Sequence, residues 1–134
     1  MDRMVECELA RIIINENSDQ QYIFLREKSG PRQFPIVIAI MEAMAIDRFV
    51  KEQATQRPLT HELLHETIGS LGASVKRVEV TKLQNQTFYA ILVLQRNGTE
   101  IEIDARPSDA IAIAVRNAAR IYVHEDVLEE VAAN

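Results

Sequence analysis

Residues 101–117, Ile-Glu-Ile-Asp-Ala-Arg-Pro-Ser-Asp-Ala-Ile-Ala-Ile-Ala-Val-Arg-Asn, force two incompatible periodicities to meet in a single step. Ile101 and Ile103 alternate with Glu102 and Asp104, which is the period of a strand. Pro107 suits the first position of a helix, where its missing N–H costs nothing, and Asp109 in the first turn complements the positive end of the helix dipole. From Ala110 to Ala114 no polar residue interrupts Ala and Ile. That helix is therefore expected to be buried nearly all round, its small alanines letting the backbone approach a sheet closely. Asp104, Arg106, Ser108 and Asp109 gather the polar chemistry at the corner between strand and helix.

The 134 residues make one domain, spanning 1–134, large enough to bury roughly two-thirds of the surface its unfolded chain exposes. A hydrophobic fraction of 47% with 26% charged residues is that of a globular protein. The single cysteine cannot close a disulfide within the chain, and Met1 leads into charged residues rather than an apolar leader, so a cytoplasmic location is expected. No apolar run reaches the roughly 20 residues of a membrane helix. A net charge of -5 argues against a broad basic surface for tracking nucleic acid, yet leaves room for a site that grips one phosphate.

Earlier in the chain Val5, Cys7 and Leu9 alternate with polar residues and lead to Ile12–Ile14, a strand with Cys7 in the core. Tyr22–Leu25 and Phe34–Ala39 follow as strands, with Pro35 restricting the latter to an edge or a bulge. A helix begins near Ile40, its Met41 and Met44 read as core fillers and Ile46, Phe49 and Val50 at helical spacing. Thr60 is the expected N-cap of the next helix, with Leu59 and Leu64 as a hydrophobic staple and Gly72 closing it. Val75–Leu83, Phe88–Leu94 and Thr99–Asp104 read as an antiparallel meander, Asn97-Gly98 being a strong hairpin signal. Ile121-Tyr-Val123 makes a short strand and Glu125–Val131 a last helix. The fold expected is α+β: a mixed, mainly antiparallel sheet with packed helices.

The two halves of the chain align at one offset, Glu42 with Asp109 (109 − 42 = 67), each reading as three strands, a small-residue helix and a second helix. This predicts a pseudo-two-fold arrangement in which Glu42 and Asp109 occupy equivalent first-turn positions.

Phe34-Pro-Ile-Val-Ile38, Glu42-Ala-Met-Ala-Ile46, Arg57-Pro-Leu-Thr-His61, Thr87-Phe-Tyr-Ala90 and Ile103-Asp-Ala-Arg-Pro-Ser-Asp-Ala-Ile-Ala112 together, in this order and spacing, resemble the bifunctional nuclease domain family. The resemblance runs from about Val5 to Val131, with Ala39 standing where the family commonly has glycine. It implies a compact α+β domain and cleavage of both DNA and RNA.

The chemistry such cleavage needs is an activated water, stabilisation of charge on phosphorus and often Mg²⁺ or Mn²⁺ held by one or two carboxylates. Asp104 and Asp109 are candidate metal ligands, joined by Glu42 if the two helix starts meet. Arg106 offers a bidentate fork to phosphate, and Ser108 with free N–H groups at the helix start offers an anion site. Arg57 and His61 form a second candidate cluster. Within the first helical turn the dipole disfavours the imidazolium, leaving His61 neutral and able to act as base. The alternative is a non-catalytic binding or regulatory module in which Asp104 or Asp109 ties Arg106 into a structural ion pair. Burial separates the two, since catalysis needs these groups around an open pocket. A third reading comes from His61-Glu-Leu-Leu-His65, literally the H-E-x-x-H of zinc peptidases, although Ile68 replaces the glycine of the extended motif. An open sheet edge and several apolar helices also lead us to expect a homodimer.

Overall fold

The computed structural model describes residues 3–132; Met1, Asp2 and the last two positions of the 1–134 span lie outside them. Seven strands and four helices follow one another as β1 Met4–Ile13, β2 Gln21–Glu27, β3 Gln33–Ile38, α1 Ile40–Val50, α2 Thr60–Ser70, β4 Ser74–Gln84, β5 Thr87–Arg96, β6 Thr99–Ala105, α3 Pro107–Arg116, β7 Arg120–His124 and α4 Glu125–Val131. The strands form one mixed sheet in the order β3-β2-β1-β7-β4-β5-β6. Only β4 and β7 run parallel; the remaining neighbours are antiparallel. This is the α+β domain expected from the sequence.

Two meanders, β1-β2-β3 and β4-β5-β6, flank β7. Because β1 opposes β7 while β4 follows it, the meanders run in opposite senses, as a two-fold axis normal to the sheet requires. The 67-residue offset carries β3 onto β6 and α1 onto α3. The correspondence stops there, since β7 intervenes between α3 and α4 and nothing like it separates α1 from α2. Tight turns close the second meander. Asn97 and Gly98 both have positive φ, at 50° and 78°, and so do Asn85 and Gln86, the geometry that matches the twist of a two-residue hairpin. Pro35 lies on β3, at one edge of the sheet, where its missing N–H costs no ladder bond.

Ile23, Leu25, Phe34, Ile36, Val78, Val80, Ala90, Leu92 and Val123 line the inner face and join Ala43, Ile46, Val127 and Leu128 in one core cluster, with Cys7 inside it. Burial raises the Cys7 thiol to about 12, the Glu27 carboxylate adding to the effect. Phe34 of β3 stacks on Phe88 of β5 at 5.7 Å although four strands separate them in the sheet order. The sheet therefore curls around α3. Pro107, Ser108 and every residue from Ala110 to Ala114 are buried, as the unbroken Ala and Ile run requires.

Several expectations for the first two helices need correction. Met41 is 71% exposed, and Phe49 and Val50 are exposed as well, so helical spacing there did not signal core. Leu59, not Thr60, is the N-cap of α2, and Glu62 caps the helix by accepting from the Leu59 N–H at 3.1 Å. The proposed staple residues Leu59 and Leu64 are both exposed, since α2 buries only Ile68. Gly72 does follow the helix with φ +81°, a conformation that L side chains rarely adopt. Ala39, the N-cap of α1, has φ −83° and ψ 163° and is exposed, so this position makes no demand for glycine.

Candidate active site

The junction of β6 and α3 meets the start of α1 because α1 and α3 pack against each other through their alanines, Ala43, Ala45, Ala110 and Ala112 being fully buried. Arg106, the N-cap of α3, reaches across this seam. Its Nη2 donates to Glu42 Oε1 at 2.8 Å and to Asp109 Oδ2 at 2.7 Å, while its Nε adds a second bond to Asp109 at 2.9 Å. These bonds, led by the one to Asp109, raise the guanidinium pKa and keep it charged. The other oxygen of Asp109 faces α2, where Oδ1 lies 2.9 Å from His61 Nε2. An ionised carboxylate can only accept, which assigns the shared proton to Nε2 and leaves Nδ1 as the basic nitrogen.

The cluster stands in a cleft of about 1030 Å³ between α1, α2, α3 and β6. Met41, Leu59, Leu63, Leu64 and Ile103 supply an apolar wall, and the lining holds no Phe, Tyr or Trp. Glu42, only 6% exposed, has an oxygen, Oε2, that is buried without a hydrogen-bond partner. A donor or cation in the cleft would satisfy it.

The structure thus brings together His61, Asp109, Arg106 and Glu42, from three helices. Other candidates stay apart. Asp104 lines the cleft rim but is exposed, and the alternation of β6 places it with Glu100 and Glu102 opposite Ile101 and Ile103. Arg57 is exposed in the loop before α2 and does not line the cleft. Ser108 is buried and faces a separate cavity of about 440 Å³ between β3 and the start of α3, which Arg106 also touches. Among the described residues no group of three or more His, Cys, Asp and Glu side chains is placed to hold a metal ion.

The H-E-x-x-H pattern dissolves in three dimensions. His61 belongs to Asp109, whereas Asn117 lies 3.2 Å from His65 Nδ1. Glu62 accepts from Arg116 Nη2 at 2.5 Å and from Arg48 Nη2 at 3.4 Å. Burial works against its charge, but the Arg116 bond and the two guanidinium charges hold its pKa below the ordinary carboxylate range. A carboxylate so committed is a clamp between helices, not a base for a metal-bound water.

Sequence reasoning missed Arg48 and Arg116 at this site, and it read Glu62 only within the H-E-x-x-H motif, not as their partner. Arg116 also donates to the carbonyls of Ala112 and Ala45, tying α3 to α1 behind the cleft. Position 62 as third residue of a helix was the one available signal, since an acid there caps; its cationic partners come from two other helices.

A family model described as Bifunctional nuclease domain matches residues 23–134. An uncharacterised protein of Mycobacterium tuberculosis is 42% identical over 95% of this chain and 76% of its own length. Bifunctional nuclease 2 of Oryza sativa subsp. japonica is 32% identical over 85% of this chain and 36% of its own. Bifunctional nuclease 1 of Arabidopsis thaliana is 32% identical over 68% of this chain and 29% of its own. The chain spans about a third of these plant proteins.

Proposed function

The chain belongs to the bifunctional nuclease domain family, and from that premise we propose that its cleft hydrolyses phosphodiester bonds of DNA and RNA, with His61 as general base. The observation that carries this reading is the relay in which Asp109 orients His61 through one oxygen and Arg106 through the other, at the floor of an open cleft. Nδ1 of His61 takes the proton of the attacking water. Asp109 fixes the tautomer and stabilises the imidazolium that forms. The Arg106 side chain is 66% exposed; with Nε and Nη2 held by Asp109 and Glu42, its Nη1 is left to meet a phosphate, contributing charge where the phosphoryl oxygens become more negative. The cleft lining holds no Phe, Tyr or Trp, so contact with a nucleic acid falls on phosphate rather than on stacked bases.

The donor set also fits a divalent cation. Three carboxylates, Glu42, Asp104 and Asp109, line the cleft against two guanidiniums, Arg48 and Arg106, leaving one negative charge, and Glu42 Oε2 lacks any partner. Glu42 and Asp109 would hold Mg²⁺ or Mn²⁺ with water completing the shell, while Asp104 adds its charge from the rim. Bound there, the ion supplies Lewis-acid stabilisation of the phosphoryl oxygens. With a net charge of -5, affinity for nucleic acid is modest and falls steeply with salt.

One observation favours a second reading, a non-catalytic module: Arg106 is already paired with two carboxylates. Cleavage assays decide between them. Single-stranded DNA, duplex DNA and RNA are incubated with the protein in Mg²⁺, Mn²⁺ or chelator, alongside folded His61→Ala, Arg106→Ala and Asp109→Asn variants. Metal-dependent cleavage reduced about 10²–10⁴-fold by His61→Ala is expected. Cleavage that all three variants retain would remove the site, and no cleavage under any condition would leave the binding module.

A further inference from the structure

Beyond the cleft, β6 forms an edge of the sheet, bonded only to β5. Edges of this length are normally blunted by proline, charged side chains, a bulge or a covering helix. β6 has no proline or bulge, and its charged side chains, Glu100, Glu102 and Asp104, are all acidic. Its register with β5 is unbroken and its residues from Thr99 to Asp104 are exposed. Its two faces differ sharply. Ile101 and Ile103, 40% and 41% exposed, share the inner side, where Ile103 lines the cleft with Leu63, Leu64 and Met41. Glu100, Glu102 and Asp104 lie on the other side. Glu100 is engaged by Arg77 and Lys76, while Glu102 and Asp104 carry no ion pair among the described residues.

We propose that β6 is a docking edge for an extended segment of another protein in which apolar residues alternate with lysine or arginine. Such a segment adds an eighth strand: its backbone completes the open ladder, its apolar side chains cover Ile101 and Ile103, and its cations meet Glu102 and Asp104. Charge complementarity selects this occupant over a second copy of the chain. Antiparallel self-pairing centred on Glu102 would set Glu102 against itself and Glu100 against Asp104, and like charges directly opposite destabilise a strand pair. Pairing β6 with the β3 edge of another copy would be head-to-tail, giving a ring or a filament rather than a two-fold dimer.

The test uses the full chain and a capped decapeptide alternating valine with lysine. Its controls are a decapeptide of the same composition with the valines and lysines in separate blocks, and one alternating valine with glutamate. Binding is read by fluorescence anisotropy and its location by amide hydrogen exchange. The alternating basic peptide is expected to bind and slow exchange across residues 99–105, and Glu102→Lys to weaken it about five-fold or more. Ile101→Lys should weaken it as well; because Glu102 is exposed, Glu102→Lys keeps the test decisive should the isoleucine variant not fold. Several results would overturn the proposal: no binding, equal binding of either control, protection outside 99–105, or indifference to Glu102→Lys. A dimeric mass in peptide-free protein with 99–105 already protected would overturn it too, by assigning the edge to a second copy.

Discussion

Glu62→Gln separates a structural carboxylate from a catalytic one in a single substitution. In the fold, Glu62 holds the Arg116 guanidinium at 2.5 Å, and the Arg116 side chain is only 6% exposed. Breaking a fully buried ion pair from one side costs about 3–5 kcal/mol, because the remaining charge is left without compensation. Two features reduce that figure here: the Glu62 side chain is 24% exposed, and Arg116 keeps the carbonyls of Ala45 and Ala112. We therefore expect a loss of about 2–3 kcal/mol, which for a chain of this size lowers Tm by roughly 10 °C. Differential scanning calorimetry measures it. The pH dependence gives an internal check. Glu62 has a folded-state pKa below its unfolded value of 4.5, so its stabilisation is complete above that pH and fades as pH falls through the folded value. The gap between wild type and variant should accordingly close below pH 4.5. Unchanged melting at neutral pH would refute the clamp, and a peptidase base would show that result together with lost activity.

Two further outcomes follow from the packing. Ala112→Leu places a larger side chain on a helix face with no exposed surface, and overpacking of this kind costs about 1–3 kcal/mol, measurable as a shift in the urea midpoint. Cys7, raised to about 12 by burial, should resist alkylation at pH 8 until the protein unfolds; because the unfolded thiol ionises near 9.0, stability should decline above that pH, and alkylation in the native state at the unfolded rate would contradict the burial.

The corner at 101–117 was legible because each local signal agreed: alternation, Pro107 at the first helical position, Asp109 in the first turn and an unbroken Ala and Ile run. The same alternation already separates Asp104 from the inward face of β6. Grouping Asp104 with Asp109 by nearness in sequence was therefore the weaker inference. The leucines of α2 misled for another reason: their spacing matches a core face, but the helix rests on the body through Ile68 and leaves that face along the cleft. Arg48 and Arg116 could not be read at all, since their meeting with Glu62 depends on how three helices pack. Nor did the five residues of β7 reveal that they would fill the middle of the sheet.

That central place has a consequence for the order of assembly. Residues 120–124 are made after both meanders, yet within the sheet they form the strand that pairs with each of them. Until they leave the ribosome, β1 and β4 each lack the strand that pairs them in the finished sheet. The seam is made after both meanders, so a chain stopped short of Arg120 carries the two meanders without the strand that pairs them.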